Sequence, residues 1–304
     1  MVTEPPGTPI GASAEIALTQ RTPRVVAARK LLRRAGRDRA GRFLVEGAQA
    51  VREAVEWAGP RSGRVHELFV TDGAAARHPE LVSAAADIGA RVSRVTDRAA
   101  ESLSDTVTPQ GLVAVCDLLD VPLPAALTNR PGLVAVCAGI ADPGNAGTVI
   151  RVADAAGADA VLFAGETVDP HNGKAVRAST GSVFHLPLAR HRDATAVLDA
   201  CRAVGLTLLA ADAHGEFDLH DPAADDVLAG PVAWIFGGEA HGVPATVADQ
   251  AEHRVRVPIH GRAESLNLAT AAAVCLYASV AAQRRRATVG ESPPASTLGS
   301  SHHD

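Results

Sequence analysis

Between residues 133 and 283 the chain alternates apolar strand-like segments with helical ones, and this pattern restricts the fold more than any other feature. Leu133 to Ile140 is continuously apolar, and further strand candidates follow at Ala158 to Ala164, Leu206 to Ala211, Val232 to Phe236 and Arg254 to Pro258. Helices are expected over about Ala146 to Ala156, Ala194 to Val204 and Ser265 to Gln283. A strand with one wet face alternates polar and apolar residues, whereas an uninterrupted apolar strand is buried on both faces. The pattern therefore predicts an α/β fold with a parallel sheet covered by helices on both faces. In such sheets ligands bind at the carboxyl ends of the strands.

The chain of 304 residues is long enough for a second unit upstream. There, F-L-V-E-G reads as a strand, followed by a helix containing Val51, Ala54 and Val55, and by strands at Val65 to Thr71, Arg91 to Thr96 and Gly111 to Leu118. A helix through Leu31 and Leu32 and a polar loop, R-R-A-G-R-D-R-A-G-R, precede them. Pro122, Pro124 and Pro131 then stiffen the chain and forbid regular ladders, which marks a domain boundary. The expected organisation is a disordered leader (1–20), a small α/β unit (21–118), a Pro-rich linker (119–131), the parallel-sheet unit (132–286) and a disordered tail (287–304).

No apolar run is long enough to span a bilayer, and the first twenty residues lack the order of a signal peptide, so a cytoplasmic location and no membrane partner are expected. Cys116, Cys137, Cys201 and Cys275 are far apart in apolar segments and read as reduced core residues. No metal-ligand spacing occurs among the twelve histidines, so no metal is expected. The net charge of −5 argues against indiscriminate nucleic-acid binding, yet Arg21 to Arg64 holds twelve Arg or Lys against four acids. Such a local excess is an electrostatic footprint for phosphates, although a solvated basic helix would look the same.

Three loops at strand ends carry the unusual residues. D-P-G-N-A-G-T-V-I-R follows the Leu133 strand, F-G-G-E-A-H-G-V-P follows the Val232 strand, and V-P-I-H-G-R-A-E-S-L-N-L-A precedes the last helix. Asn145 and Ser265 can be read as helix N-caps and Arg151 as a surface arginine. Several polar strand-end loops at one end of a sheet favour a site instead. The P-loop pattern fails because no lysine follows Gly144 at the required spacing, and neither G-x-G-x-x-G nor G-x-S-x-G occurs.

These three loops, together with H-N-G-K-A-V-R-A-S-T-G-S-V-F-H-L-P between the first and second, resemble the motifs of the SpoU (TrmH-like) branch of the SPOUT RNA methyltransferases. F-L-V-E-G and P-Q-G-L-V-A-V resemble the L30e-like substrate-binding domain attached to many ribosomal-RNA members, which include thiostrepton-resistance methyltransferases. The resemblance covers about Arg21 to Arg284. It implies S-adenosylmethionine-dependent transfer of a methyl group to a ribose 2′-hydroxyl of RNA, most simply ribosomal RNA. It also implies a homodimer and a C-terminal trefoil knot, which general topology rules do not favour.

The resemblance assigns the cofactor to Leu209, Ala210, Gly238, Glu239, Val257, Ile259, Ser265 and Leu266, and the reaction to Arg151, Asn145, Glu239, Ser265 and Asn267. In that reading Asn145, Ser265 and Asn267 orient the ribose and Arg151, and Glu239 holds Arg151 or a loop N–H. Arg24, Arg33, Arg34, Arg37, Arg39 and Arg42 are the candidate RNA contacts. Arginine is often proposed as the base in this family, but guanidinium stays protonated in proteins. A role in holding the target phosphate and ribose is the simpler expectation. Two alternatives stay open: a tRNA 2′-O-methyltransferase, and a non-catalytic RNA-binding assembly factor on the same fold.

Overall fold

The computed structural model describes residues 17–59 and 64–290. The expected leader and tail therefore lie largely outside the described residues. Their inner ends differ from expectation. Leu18 makes a bridge with Val95, and the last helix runs to Gly290. Contacts divide the chain into two compact units, Met1–Asp117 and Leu118–Asp304.

The first unit opens with α1 (Pro23–Arg29), a 3₁₀ turn (Lys30–Leu32) and α2 (Arg34–Ala40). Next come β1 (Arg42–Glu46), α3 (Ala48–Ala58), β2 (Val65–Val70), α4 (Asp72–Arg77) and α5 (Pro79–Asp87). It closes with β3 (Arg91–Arg94), α6 (Asp97–Glu101) and β4 (Leu112–Asp117). The sheet order is β1-β4-β2-β3, antiparallel except for the β2–β3 pair. One face packs Leu44, Phe69, Val113 and Val115 against Val25, Ala28 and Leu31.

The segment expected as a polar loop is helical in α2. The reason is Arg37, which is 3% exposed and donates from Nη1 to the carbonyls of Leu31 (3.0 Å) and Leu32 (3.1 Å). These carbonyls close the 3₁₀ turn, and their pairing lets the next helix start at once.

In the second unit α7 (Leu123–Ala126) leads to β5 (Leu133–Ala138), α8 (Pro143–Ala156), β6 (Ala160–Ala164), α9 (Gly173–Ser179) and β7 (Leu188–His191). Then follow α10 (Ala194–Ala203), β8 (Thr207–Ala211), β9 (Phe217–Asp218), α11 (Pro222–Leu228) and β10 (Val232–Phe236). The unit ends with α12 (Ala245–Ala248), β11 (His253–Arg256) and α13 (Leu268–Gly290). Every pair in the seven-stranded sheet, order β7-β6-β5-β10-β8-β11-β9, is parallel. β7 is short and partly polar, Leu188–Ala189–Arg190–His191, and its sequence carries no apolar run to mark it.

Alternate residues of β10 serve the two faces, as a strand covered on both sides requires. Ala233 and Ile235 join the cluster with Val197, Leu198 and Cys201 of α10, whereas Trp234 donates to Ser279 Oγ of α13 at 2.9 Å. All four cysteines are free and buried, and burial pushes the Cys137 and Cys201 thiols up to about 12. Among the described residues no helix is long and apolar enough to cross a membrane.

From β5 the chain winds outward through β6 to β7, then returns to build β8, β9, β10 and β11 on the other side. β5 and β10 are neighbours at that reversal, and the carboxyl ends of strands at such a point are where sheets of this kind bind ligands.

Candidate active site

After β5, Gly139 turns the chain and Asp142 caps α8 by accepting from the Asn145 N–H at 2.9 Å, with Pro143 in the first turn. Lys174 Nζ, at the start of α9, donates to the other Asp142 oxygen at 2.5 Å. The Lys174 hydrogen bond, assisted by the Asn145 N–H, holds the Asp142 carboxyl below the usual carboxylate range. This cap fixes where the Asn145 side chain starts.

After β10 the chain folds tightly on itself, with Gly238 and Gly242 exchanging backbone hydrogen bonds at 3.0 and 2.9 Å. A Cβ on Gly238 would lie 2.4 Å from the Gly139 carbonyl oxygen, closer than any real contact. Gly238 is thus required for the approach of the two loops to each other. Glu239 follows at once, and its Oε1 accepts from Asn145 Nδ2 at 2.5 Å.

The third loop, 257–267, has neither helix nor strand, and residues 259–265 are all exposed. It ends at Asn267, whose Oδ1 accepts from the N–H groups of Ala269 (3.0 Å) and Thr270 (3.3 Å). Asn267, not Ser265, is therefore the cap of α13, and the helix begins three residues later than expected. Because the cap occupies Oδ1, the Asn267 amide presents Nδ2, which donates to Asn145 Oδ1 at 3.2 Å. That bond in turn aims Asn145 Nδ2 at the Glu239 carboxylate. Glu239, Asn145 and Asn267 form one hydrogen-bonded relay joining the three loops.

Arg151 is not part of the relay. It stands six residues beyond Asn145, about 9 Å along α8. Its Nη1 donates to Thr180 Oγ1, at the end of α9, at 3.2 Å. The expected contacts of Arg151 with Asn145, Glu239, Ser265 or Asn267 are absent among the described residues. Gly147, one turn before Arg151, explains how α9 comes so near: a Cβ there would lie 2.2 Å from the Ala175 carbonyl oxygen. Its absence lets the two helices touch along their backbones.

The other expected cofactor residues separate into two groups. Leu209 and Ala210 are fully buried mid-strand between β10 and β11, so they cannot offer a free surface. The end of β8 is Ala211, and Asp212 follows it. Val257, Ile259, Ser265 and Leu266 lie on the irregular third loop, Ile259 and Ser265 exposed and Val257 and Leu266 half-buried. Among the described residues no group of three His, Cys, Asp or Glu is placed to hold a metal ion.

Asp142, Lys174 and Thr180 were not singled out from the sequence. Asp142 had a signal, since Asp before Pro at the start of an apolar helix is an N-terminus signature. Lys174 and Thr180 had none beyond their place in the H-N-G-K-A-V-R-A-S-T-G stretch.

In the first unit the candidate RNA arginines also divide. Arg24 is spent internally, its Nη1 on Glu67 Oε1 (2.7 Å) and Ser93 Oγ (3.1 Å), and Arg37 is buried as described above. Both were expected on the surface; the sequence could not show that their guanidinium groups complete the fold. Arg33, Arg34, Arg39 and Arg42 are exposed, and Arg29 and Lys30 join them.

Residues 132–277 match the model of the SpoU rRNA Methylase family, and residues 22–114 that of the MRM3-like substrate binding domain. The 23S rRNA (guanosine(2553)-2′-O)-methyltransferase RlmP of Bacillus subtilis is 32% identical over 249 residues, covering 82% of this chain and 92% of the relative. The 23S rRNA (uridine(2479)-2′-O)-methyltransferase of Streptomyces viridochromogenes is 32% identical over 254 residues, covering 80% and 84%. The crystal structure of an AdoMet-bound rRNA methyltransferase from Sinorhizobium meliloti superposes with a TM-score of 0.73 at 28% identity, covering 90% of this chain and 97% of that one.

Proposed function

The chain belongs to the SpoU rRNA Methylase family, and from that membership we propose how its own residues carry S-adenosylmethionine-dependent methylation of a ribose 2′-hydroxyl in ribosomal RNA. The observation that carries the reading is the Glu239–Asn145–Asn267 relay, which ties three strand-end loops together at the carboxyl ends of β5 and β10.

The residues present suit this cofactor. The exposed, irregular loop 259–265 leaves main-chain N–H and C=O groups open to an adenine edge and a methionine end. When bound, S-adenosylmethionine supplies an electrophilic methyl group on a sulfonium. Gly238 keeps the loop after β10 close to the loop after β5, and Glu239 and Asn267 hold Asn145 in a single orientation toward the incoming ribose. A weak nucleophile meeting a strong electrophile needs alignment above all, and a rigid relay supplies it. Arg151, exposed on α8, takes the phosphate beside the target ribose as a fixed cation. Glu239, the carboxylate of the relay, is the acceptor for the proton the hydroxyl sheds.

The exposed Arg29, Lys30, Arg33, Arg34, Arg39 and Arg42 of the first unit grip structured RNA through phosphates and shape. The reading also includes a cytoplasmic location, where ribosomal RNA is found, a homodimer and a threaded C-terminal segment. The half-exposed Tyr277 on α13 supports a partner subunit, and a monomeric mass by light scattering at working concentration would sink that part. Threading is supported by the placement of β10 between β5 and β8 and of β11 between β8 and β9, late strands inserted among early ones. An unthreaded path in an experimental structure would remove it.

The central test incubates the purified protein with labelled S-adenosylmethionine and an unmodified 23S ribosomal RNA transcript, then maps 2′-O-methyl groups. Label at one ribose is the expected result. Label on a base, on transfer RNA alone or on nothing would overturn the reading.

A further inference from the structure

α9 is capped at its carboxyl end by Thr180, whose backbone is left-handed at φ 53° and ψ 35°. Helices commonly finish in that conformation with glycine, occasionally asparagine. For a β-branched residue it is a genuine outlier. Among the described residues the other non-glycine positions with positive φ are Asn129 and Arg130, in the segment before β5. The chain could have placed glycine here without strain, as it does at the end of α8, where Gly157 has φ 76°. Persistent strain at an exposed position points to a task for the side chain.

That task is visible in the contacts. The Thr180 hydroxyl accepts from Arg151 Nη1 at 3.2 Å and sits 3.5 Å from the Ala178 carbonyl to which it donates. Arg151 pairs with no carboxylate among the described residues, so this hydroxyl is its one described side-chain anchor. Gly147 lets α9 press against α8 one turn earlier, which brings the end of α9 within reach of Arg151, the one basic residue of α8. A single hydrogen bond to a neutral acceptor holds the long side chain without neutralising its charge. Four of its five N–H donors stay available for phosphate.

We propose that Thr180 is the positioning residue for Arg151, retained in a strained conformation because its hydroxyl is needed there to aim the guanidinium at the target nucleotide. This rests on the role given to Arg151 above.

Four variants, Thr180→Gly, Thr180→Ser, Arg151→Ala and the double variant Thr180→Gly/Arg151→Ala, test it in the full-length protein with labelled S-adenosylmethionine and the 23S ribosomal RNA transcript. Thr180→Gly removes both the strain and the hydroxyl, so its melting temperature is expected to rise while kcat falls about 10- to 100-fold. The KM for S-adenosylmethionine is expected to stay unchanged. Thr180→Ser keeps the hydroxyl and is expected to restore kcat to within about threefold, a rescue that a purely structural role would not produce. Adding Thr180→Gly to Arg151→Ala should leave the rate at that of the single variant yet still raise the melting temperature. Wild-type kcat in Thr180→Gly, or equal losses in the Gly and Ser variants, would overturn the inference while an inactive Arg151→Ala upholds the role of Arg151. Full activity of Arg151→Ala would overturn both.

Discussion

The two units gather their polar residues in opposite ways. In the second unit Asn145 meets Glu239 and Asn267 across 94 and 122 residues of sequence, and each side chain has its orientation set by the next. In the first unit the exposed basic residues from Arg29 to Arg42 follow one another along the end of α1, the 3₁₀ turn, α2 and the start of β1, so nearness in sequence alone collects them. A relay fails as a whole when one member is lost, whereas separate charges weaken binding one increment at a time. The first arrangement suits a reaction that needs alignment and the second suits a grip on a polyanion.

The sharpest way to break this contrast is Asn145→Ala. It should lower kcat about 10²- to 10³-fold, the usual cost of losing a preorganised donor, with stability changed by less than about 1 kcal/mol. Near-normal turnover would show that the relay is only a loop tie. Next in size is Gly147→Val, which forces a side chain into the Ala175 carbonyl and should destabilise the protein by about 1–3 kcal/mol in urea titration. An unchanged midpoint would mean that α8 and α9 separate freely.

Within the first unit, Arg37→Ala and Arg33→Ala should differ in kind. The former strands the Leu31 and Leu32 carbonyls and should cost about 1–3 kcal/mol of stability. The latter should leave the melting temperature alone and reduce the slope of log affinity against log salt by about one. Equal effects of the two on RNA binding would erase the distinction between buried and exposed arginines.

The smallest effect is expected from Asp142→Asn. The folded-state carboxyl is depressed by Lys174, so its stabilisation is present above the ordinary carboxylate value of about 3.9 and is lost as pH falls through the lower folded value. Asparagine keeps the cap but cannot titrate. The variant should show a shallower loss of melting temperature below about pH 4, and an unchanged acid limb would remove Lys174–Asp142 as its cause.

Sequence alone determined five of the seven described strands of the second unit and the helices α8, α10 and α13, because burial on both faces leaves no polar residue in strands such as Leu133–Ala138 or Val232–Phe236 and periodicity reads them directly. It also put Asn145, Glu239, Asn267 and Arg151 forward as candidates, through the loop motifs that carry the family resemblance. What the tertiary structure decided was who touches whom. Asn267 took the cap expected of Ser265, Arg151 found Thr180 instead of the relay, and Arg24 and Arg37 turned inward to complete the first unit. Those outcomes depend on distances between segments far apart in the chain, set by close approaches such as those at Gly147 and Gly238, and local pattern carries no record of them.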